Sequence, residues 1–152
     1  MAQYPVGPAG KEFLEIFYFA FGGTGSGNSS GNPAPLVTKD LMDIPPGLLV
    51  RDVWVIVDVA VTGTTAVDIG DDDDPDGFVP AASITLATPA VYGVSPDKRG
   101  VYLQDGGMAG DQMPRWKYYT AASTGKEIKA AFTTANTAGA LRVFVQGLYL
   151  GR

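Results

Sequence analysis

The sequence predicts an all-β chain: a single-domain antiparallel β-sandwich, jelly-roll-like, with about eight or nine strands. Three observations predict it. Apolar residues recur with a period of two in one segment after another, the spacing of a strand with one buried face. No segment holds a helical period over about ten residues. The chain carries 20 glycines and 11 prolines among 152 residues yet is 45% hydrophobic, so the breakers separate short strands and do not signal disorder.

A Pro- and Gly-containing leader over residues 1–11 precedes the sandwich domain, residues 12–152. Phe13 to Phe21, FLEIFYFAF, is the first strand. Leu14, Ile16, Tyr18 and Ala20 share one face and Phe13, Glu15, Phe17, Phe19 and Phe21 the other, so both faces are largely apolar. With Leu14, Ile16 and Tyr18 turned to the core, Phe13, Phe17, Phe19 and Phe21 form an outer apolar stripe that Trp54 and Ile56 extend. A lone monomer seldom exposes so much, and a subunit interface is expected to cover it. Residues 22–35, rich in Gly, Ser and Asn, read as a flexible loop.

Leu36 to Asp40 is expected as a short edge strand, and Ile44 to Gly47, IPPG, as a stiff approach to the next one. That next strand, Leu48 to Val61, is the longest: its six valines, isoleucine and tryptophan suit a pleated sheet. Asp52 and Asp58 mark its even register as outer, leaving Val53, Val55, Val57 and Val59 for the core. Thr62 to Thr65, with Gly63 for the turn, is expected to return the chain into Ala66 to Ile69 as a hairpin partner. Ala81 to Thr88, Val101 to Gln104 and Trp116 to Thr120 are further short strands, separated by turn-rich stretches at Pro89 to Gly100 and Asp105 to Asp111. Lys126 to Thr133 places Ile128, Ala130 and Phe132 inside. In Ala140 to Leu150, Leu141, Val143 and Val145 alternate with Arg142, Phe144 and Gln146.

Composition removes most enzyme chemistries. There is no histidine, so the commonest general base is missing and Ser83, Ser95 and Ser123 lack their usual activator. There is no cysteine, which excludes disulfides and thiolate metal sites. Asp52 and Asp58, six positions apart on one strand, lie about 20 Å from each other, too far for two-carboxylate glycoside hydrolysis. No catalytic residue is assigned, and the chain reads as a non-enzyme. The net charge is −5, and Asp71 to Asp74 with Asp76 account for it, so no basic face offers itself to nucleic acid. No apolar run is long enough to span a bilayer, and the opening MAQYPVGPAG lacks the pattern of an export signal.

The chemical oddity is DDDDPDG, residues 71–77. Asp72, Asp74, Asp76 and Gly77 satisfy D-x-D-x-D-G, whose alternating carboxylates can converge on a hard cation such as calcium. The pattern then departs from a calcium loop, because Ser83 stands where a bidentate glutamate belongs and Pro75 stiffens the middle. A solvated acidic turn with no cofactor is the expectation, and calcium at Asp72, Asp74 and Asp76 the alternative. Trp116, Tyr118 and Tyr119 beside Arg115 and Lys117 suit edge packing first and sugar stacking second.

The segments IPPGLLVRDVWVIVDVAVTG, TAVDIGDDDDPDGFVP, VYLQDGG and TTANTAGALRVFVQGLYLG, in that order over residues 36–150, resemble small virion structural proteins of tailed bacteriophages, such as head decoration, cement or minor capsid proteins. The V-D-x-G-D-x-x-D-P-D-G-F run matches Val67 to Phe78, and T-x-G-x-L-R-V-x-V matches Thr137 to Val145. The resemblance implies a protein that stabilises the phage head, partnered by the major capsid protein and by copies of itself as a homotrimer, and located in the virion after assembly in the host cytoplasm. The competing class is a calcium-assisted carbohydrate- or receptor-binding module of a tail or fibre. It draws on the D-x-D-x-D-G run and on WKYY.

Overall fold

The chain crosses repeatedly between two antiparallel sheets. The computed structural model describes residues 10–21, 38–62, 66–104, 116–123, 125–133 and 138–150. Its strands are β1 (Lys11–Phe21), β2 (Thr38–Asp43), β3 (Leu48–Thr62), β4 (Val67–Asp71), β5 (Ala90–Tyr92), β6 (Lys117–Tyr118), β7 (Glu127–Phe132) and β8 (Ala138–Tyr149). A five-stranded sheet runs β1-β8-β3-β5 with β6 also on β3, and a three-stranded sheet runs β2-β7-β4. No α-helix occurs among the described residues.

The pairings are nested. β1 pairs with β8, β2 with β7, and β3 with β6. β4 bonds to the chain that follows it, with Ile69 and Val79 exchanging amide hydrogen bonds of 2.9 and 3.0 Å. Two further pairings, β3 with β8 and β4 with β7, close each sheet. This is an antiparallel ribbon rolled up on itself, a jelly-roll winding, and it is why strands distant in sequence share a core.

That core lies between the sheets. Val53, Val55, Val57, Ile128, Phe132, Leu141, Val143 and Val145 are all buried, as the alternation predicts. Phe19 and Phe21 of β1 reach across to Phe132 of β7, with ring centroids 5.2 and 5.8 Å apart. Fully burying each such ring contributes about 1.5–3 kcal/mol.

The structure reverses the expected orientation of the first strand. Phe13 and Phe17 pack against the core and Phe19 and Phe21 lie inside it, whereas Leu14, Ile16 and Tyr18 are 50, 51 and 41% exposed. Both registers are apolar, so periodicity cannot choose between them. Ring area decides, because aromatic side chains bury more surface than aliphatic ones.

Other departures follow from local geometry. Val59 is 56% exposed, because β3 slips register against β8 between Val57 and Val59. A second slip between Val50 and Asp52 puts Leu48 and Val50 in the core on the opposite parity from Val53. β4 pairs with β7 and lies in the other sheet, so it is not a hairpin partner of β3. Ala81 to Thr88 is no strand: amide bonds from Ser83 to Pro80, Ile84 to Ala81 and Thr88 to Thr85 coil it into turns, which still bury Ile84 and Leu86. Val101 to Gln104 is likewise a turn on the Gly100 carbonyl, with Leu103 buried. A short strand, β5, occupies part of the stretch expected as turns. The leader before residue 10, the loop at 22–35 and the turn at Gly63 fall outside the described residues.

Candidate assembly surface

Register places one apolar band on the outer face of the large sheet. β1, β8 and β3 align Ile16 with Phe144 and Trp54, and a second row aligns Tyr18, Arg142, Ile56 and Val91. Leu14, Gln146 and Asp52 form a third. Trp54 lies flat on Phe144, centroids 5.0 Å apart and planes 6° from parallel. Phe144 is thereby buried on the outer side, while Leu14, Ile16, Tyr18 and Val91 remain exposed. In the middle of the band, Arg142 holds Asp58 through two hydrogen bonds of 2.8 and 2.5 Å, and its guanidinium lies 5.4 Å from the Phe144 ring. Below it, Arg99 pairs with Asp52 at 3.2 Å, while burial pushes the Asp52 carboxyl above the usual range against the pull of Arg99. The band is largely apolar, and its charges are paired as Arg142 with Asp58 and Arg99 with Asp52.

Of the six residues expected at an interface, Trp54 and Ile56 lie on this band, whereas Phe13, Phe17, Phe19 and Phe21 face the opposite side. Leu14, Ile16, Tyr18, Val91 and Phe144 take their place. Phe144 carried a legible signal: it is an aromatic in the same register as Arg142 and Gln146.

The acidic run is organised around Asp71, which lies on the inward register of β4 and is 2% exposed. Its Oδ1 accepts hydrogen bonds from the Asp73 amide (2.9 Å), the Asp74 amide (3.0 Å) and the Tyr102 hydroxyl (2.9 Å). Its Oδ2 accepts one from the Tyr119 hydroxyl at 2.6 Å. Above the tyrosines, the Lys117 ammonium lies 3.6 Å from the Tyr102 ring centroid and 5.4 Å from that of Tyr119. The loop folds back over Gly70, where any Cβ would overlap the Asp74 carbonyl and the Pro75 backbone.

The three carboxylates of the alternative calcium reading, Asp72, Asp74 and Asp76, turn to different partners. Asp72 turns to Lys129 and to the Glu127 amide, and its hydrogen bond from Lys129 holds its carboxyl below the ordinary range. Asp73 pairs with Lys126 at 2.5 Å. Asp74 shares a hydrogen bond with Asp76, which raises its carboxyl above the usual range. Among the described residues, no three acidic side chains converge as a cation site. Lys129 of β7 and Lys126 just before it draw Asp72 and Asp73 away. Thermal unfolding in calcium, in magnesium and in chelator at matched ionic strength is therefore expected to agree within about 1–2 °C, since only a ligand bound preferentially to the folded state raises Tm by mass action. A rise of several degrees with calcium alone, lost in Asp74→Asn with Asp76→Asn, would contradict this.

Tyr119 and Tyr102 carry a pH prediction. Burial first, and then the hydrogen bonds to Asp71, push both phenols above their ordinary value of about 10. A group whose pKa is higher when folded contributes stability that is complete below the unfolded pKa and is lost as pH rises toward the folded one. Urea midpoints should therefore hold through neutral pH and fall above about pH 10. Tyr119 contributes about 1.4 kcal/mol per pH unit there, and the partly buried Tyr102 less. Tyr119→Phe should be less stable at pH 8 and show a flatter alkaline decline; an equally steep decline in that variant would contradict the assignment.

No family model matches this chain, and no curated protein matches it. Among solved structures, a chain of the "Cyanophage Pam1 capsid asymmetric unit" superimposes on it with a TM-score of 0.54 at 14% sequence identity, over 97% of this chain and 91% of that one. At that identity the likeness is one of fold.

Proposed function

We propose that this chain is a non-enzymatic structural protein of a virion, a decoration or cement protein that binds the phage head as a homo-oligomer. The observation that carries the reading is the likeness of fold, over 97% of this chain and 91% of the other, to a chain of a capsid asymmetric unit. The outer band supports it from the side of chemistry. Contiguous exposed apolar surface with matched charges is what a subunit or shell contact requires and what a free monomer avoids. Its partners on this reading are the major capsid protein and further copies of itself, three around an axis as the sequence resemblance implies, and its place is the assembled particle. A carbohydrate-binding role gains little from the acidic loop, in which Asp71 is engaged with tyrosines and Asp72 and Asp73 with lysines.

The test is reconstitution. Phage heads lacking the protein should take it up at a fixed ratio to the major capsid protein, and the decorated heads should withstand heat or low-salt shock that opens bare ones. Uptake by tails or fibres alone, or glycan binding on an array in its place, would overturn the head assignment.

A further inference from the structure

The free edge of β1 is the feature the fold leaves unexplained. β1 ends the large sheet, pairing with β8 on one side and with nothing on the other among the described residues. It is 11 residues long, about 36 Å at the usual rise, and its register against β8 runs from Lys11 to Phe21 without a slip. Natural sheets guard such edges with bulges, prolines, short strands or charges. β1 has no bulge and no proline; its charges, Lys11, Glu12 and Glu15, all lie in its first half, Glu12 is held by Arg51, and the exposed outward side chains from residue 14 on are Leu14, Ile16 and Tyr18. An edge this long and straight, with no charge from Ile16 to Phe21, is a template for another strand.

We propose that the β1 edge pairs antiparallel with β1 of a second copy, about a two-fold axis through Ile16. Ile16 is the midpoint of Lys11–Phe21, so this register engages the whole strand of both copies. It sets Ile16 against Ile16, Leu14 against Tyr18, Phe13 against Phe19, Glu12 against Ala20 and Lys11 against Phe21. No two like charges stand directly opposite. The two Glu15 carboxylates meet only on the diagonal, about 7–8 Å apart. Leu14, Ile16 and Tyr18 of both copies then join the Phe144 and Trp54 rows, so sheet and apolar band run unbroken through the pair. A three-fold ring uses head-to-tail surfaces, which leaves this edge free to join neighbouring rings across two-folds. The proposal deepens the homo-oligomer reading but does not need the virion, because it is measured on free protein.

The chain has no cysteine, so single cysteines report the register cleanly. Under mild oxidation, Ile16→Cys should give a disulfide-linked dimer, since directly opposed residues come within bridging distance. Leu14→Cys alone should stay largely uncrosslinked, and an equimolar mixture of Leu14→Cys with Tyr18→Cys should crosslink. Ile16→Lys, an exposed change that leaves the β1–β8 pairing intact, should weaken self-association at least tenfold in sedimentation with its Tm unchanged, and Glu15→Gln should tighten it. Ile16→Cys failing to crosslink, Leu14→Cys crosslinking as readily as Ile16→Cys, Glu15→Gln weakening association, or Ile16→Cys linking only to a shell protein in particles would each overturn the proposal.

Discussion

Replacing Asp71 by alanine is expected to cost about 3–5 kcal/mol of unfolding free energy, the range for removing one partner of a buried charged network. The carboxylate is shut away from water and accepts four hydrogen bonds, one of them from Tyr119, which is itself buried. Without it the Tyr119 hydroxyl and two loop amides lose their acceptor, and each stranded donor costs about 1–3 kcal/mol. Because folded domains hold only about 5–15 kcal/mol in reserve, the variant should be marginal at room temperature. Asp71→Asn keeps the shape and one acceptor oxygen and should lose less, about 1–3 kcal/mol. Urea titrations of the three proteins check the order; an alanine variant within about 1 kcal/mol of the parent would show that Asp71 does not organise the loop.

The second large effect is expected from Gly70→Ala, at about 3 kcal/mol, the upper part of the usual cost of overpacking. The added methyl would overlap the backbone of Asp74 and Pro75, and backbone cannot swing aside as a lysine tip can. The loop must lift, and it carries with it the Asp73 and Asp74 amides that bind Asp71. The two substitutions break one structure, so the double variant should lose clearly less than the sum of the singles. Additive losses in the same urea titrations would contradict a shared origin.

Strand existence was legible in the sequence wherever one face was polar. Asp52 and Asp58 marked the outer side of β3, and Arg142 and Gln146 that of β8, so Val53, Val143 and Val145 were assigned to the core correctly. Within Phe13 to Phe21 the one charge, Glu15, sits among the phenylalanines and points the wrong way; Glu12, on the outward register of β1, lies before that segment, and ring area settled the orientation. Val59 was misplaced because a register slip depends on the partner strand, which alternation within β3 does not encode. The acidic run was visible as a cluster, but its separate roles were not. Tyr102 and Tyr119 bind Asp71 across 31 and 48 residues, and Lys129 and Lys126 come from the start of β7 and the residue before it, contacts that only the jelly-roll winding creates.

The outer face of the large sheet is proposed as a surface that is covered on assembly. A high-resolution reconstruction of the native virion tests it most directly. Density for this chain is expected at regular positions on the head, with Ile16, Trp54, Ile56 and Phe144 covered by a neighbouring subunit or by the shell. A chain absent from the particle, or one present with that face open to solvent and its contacts made elsewhere, would contradict it.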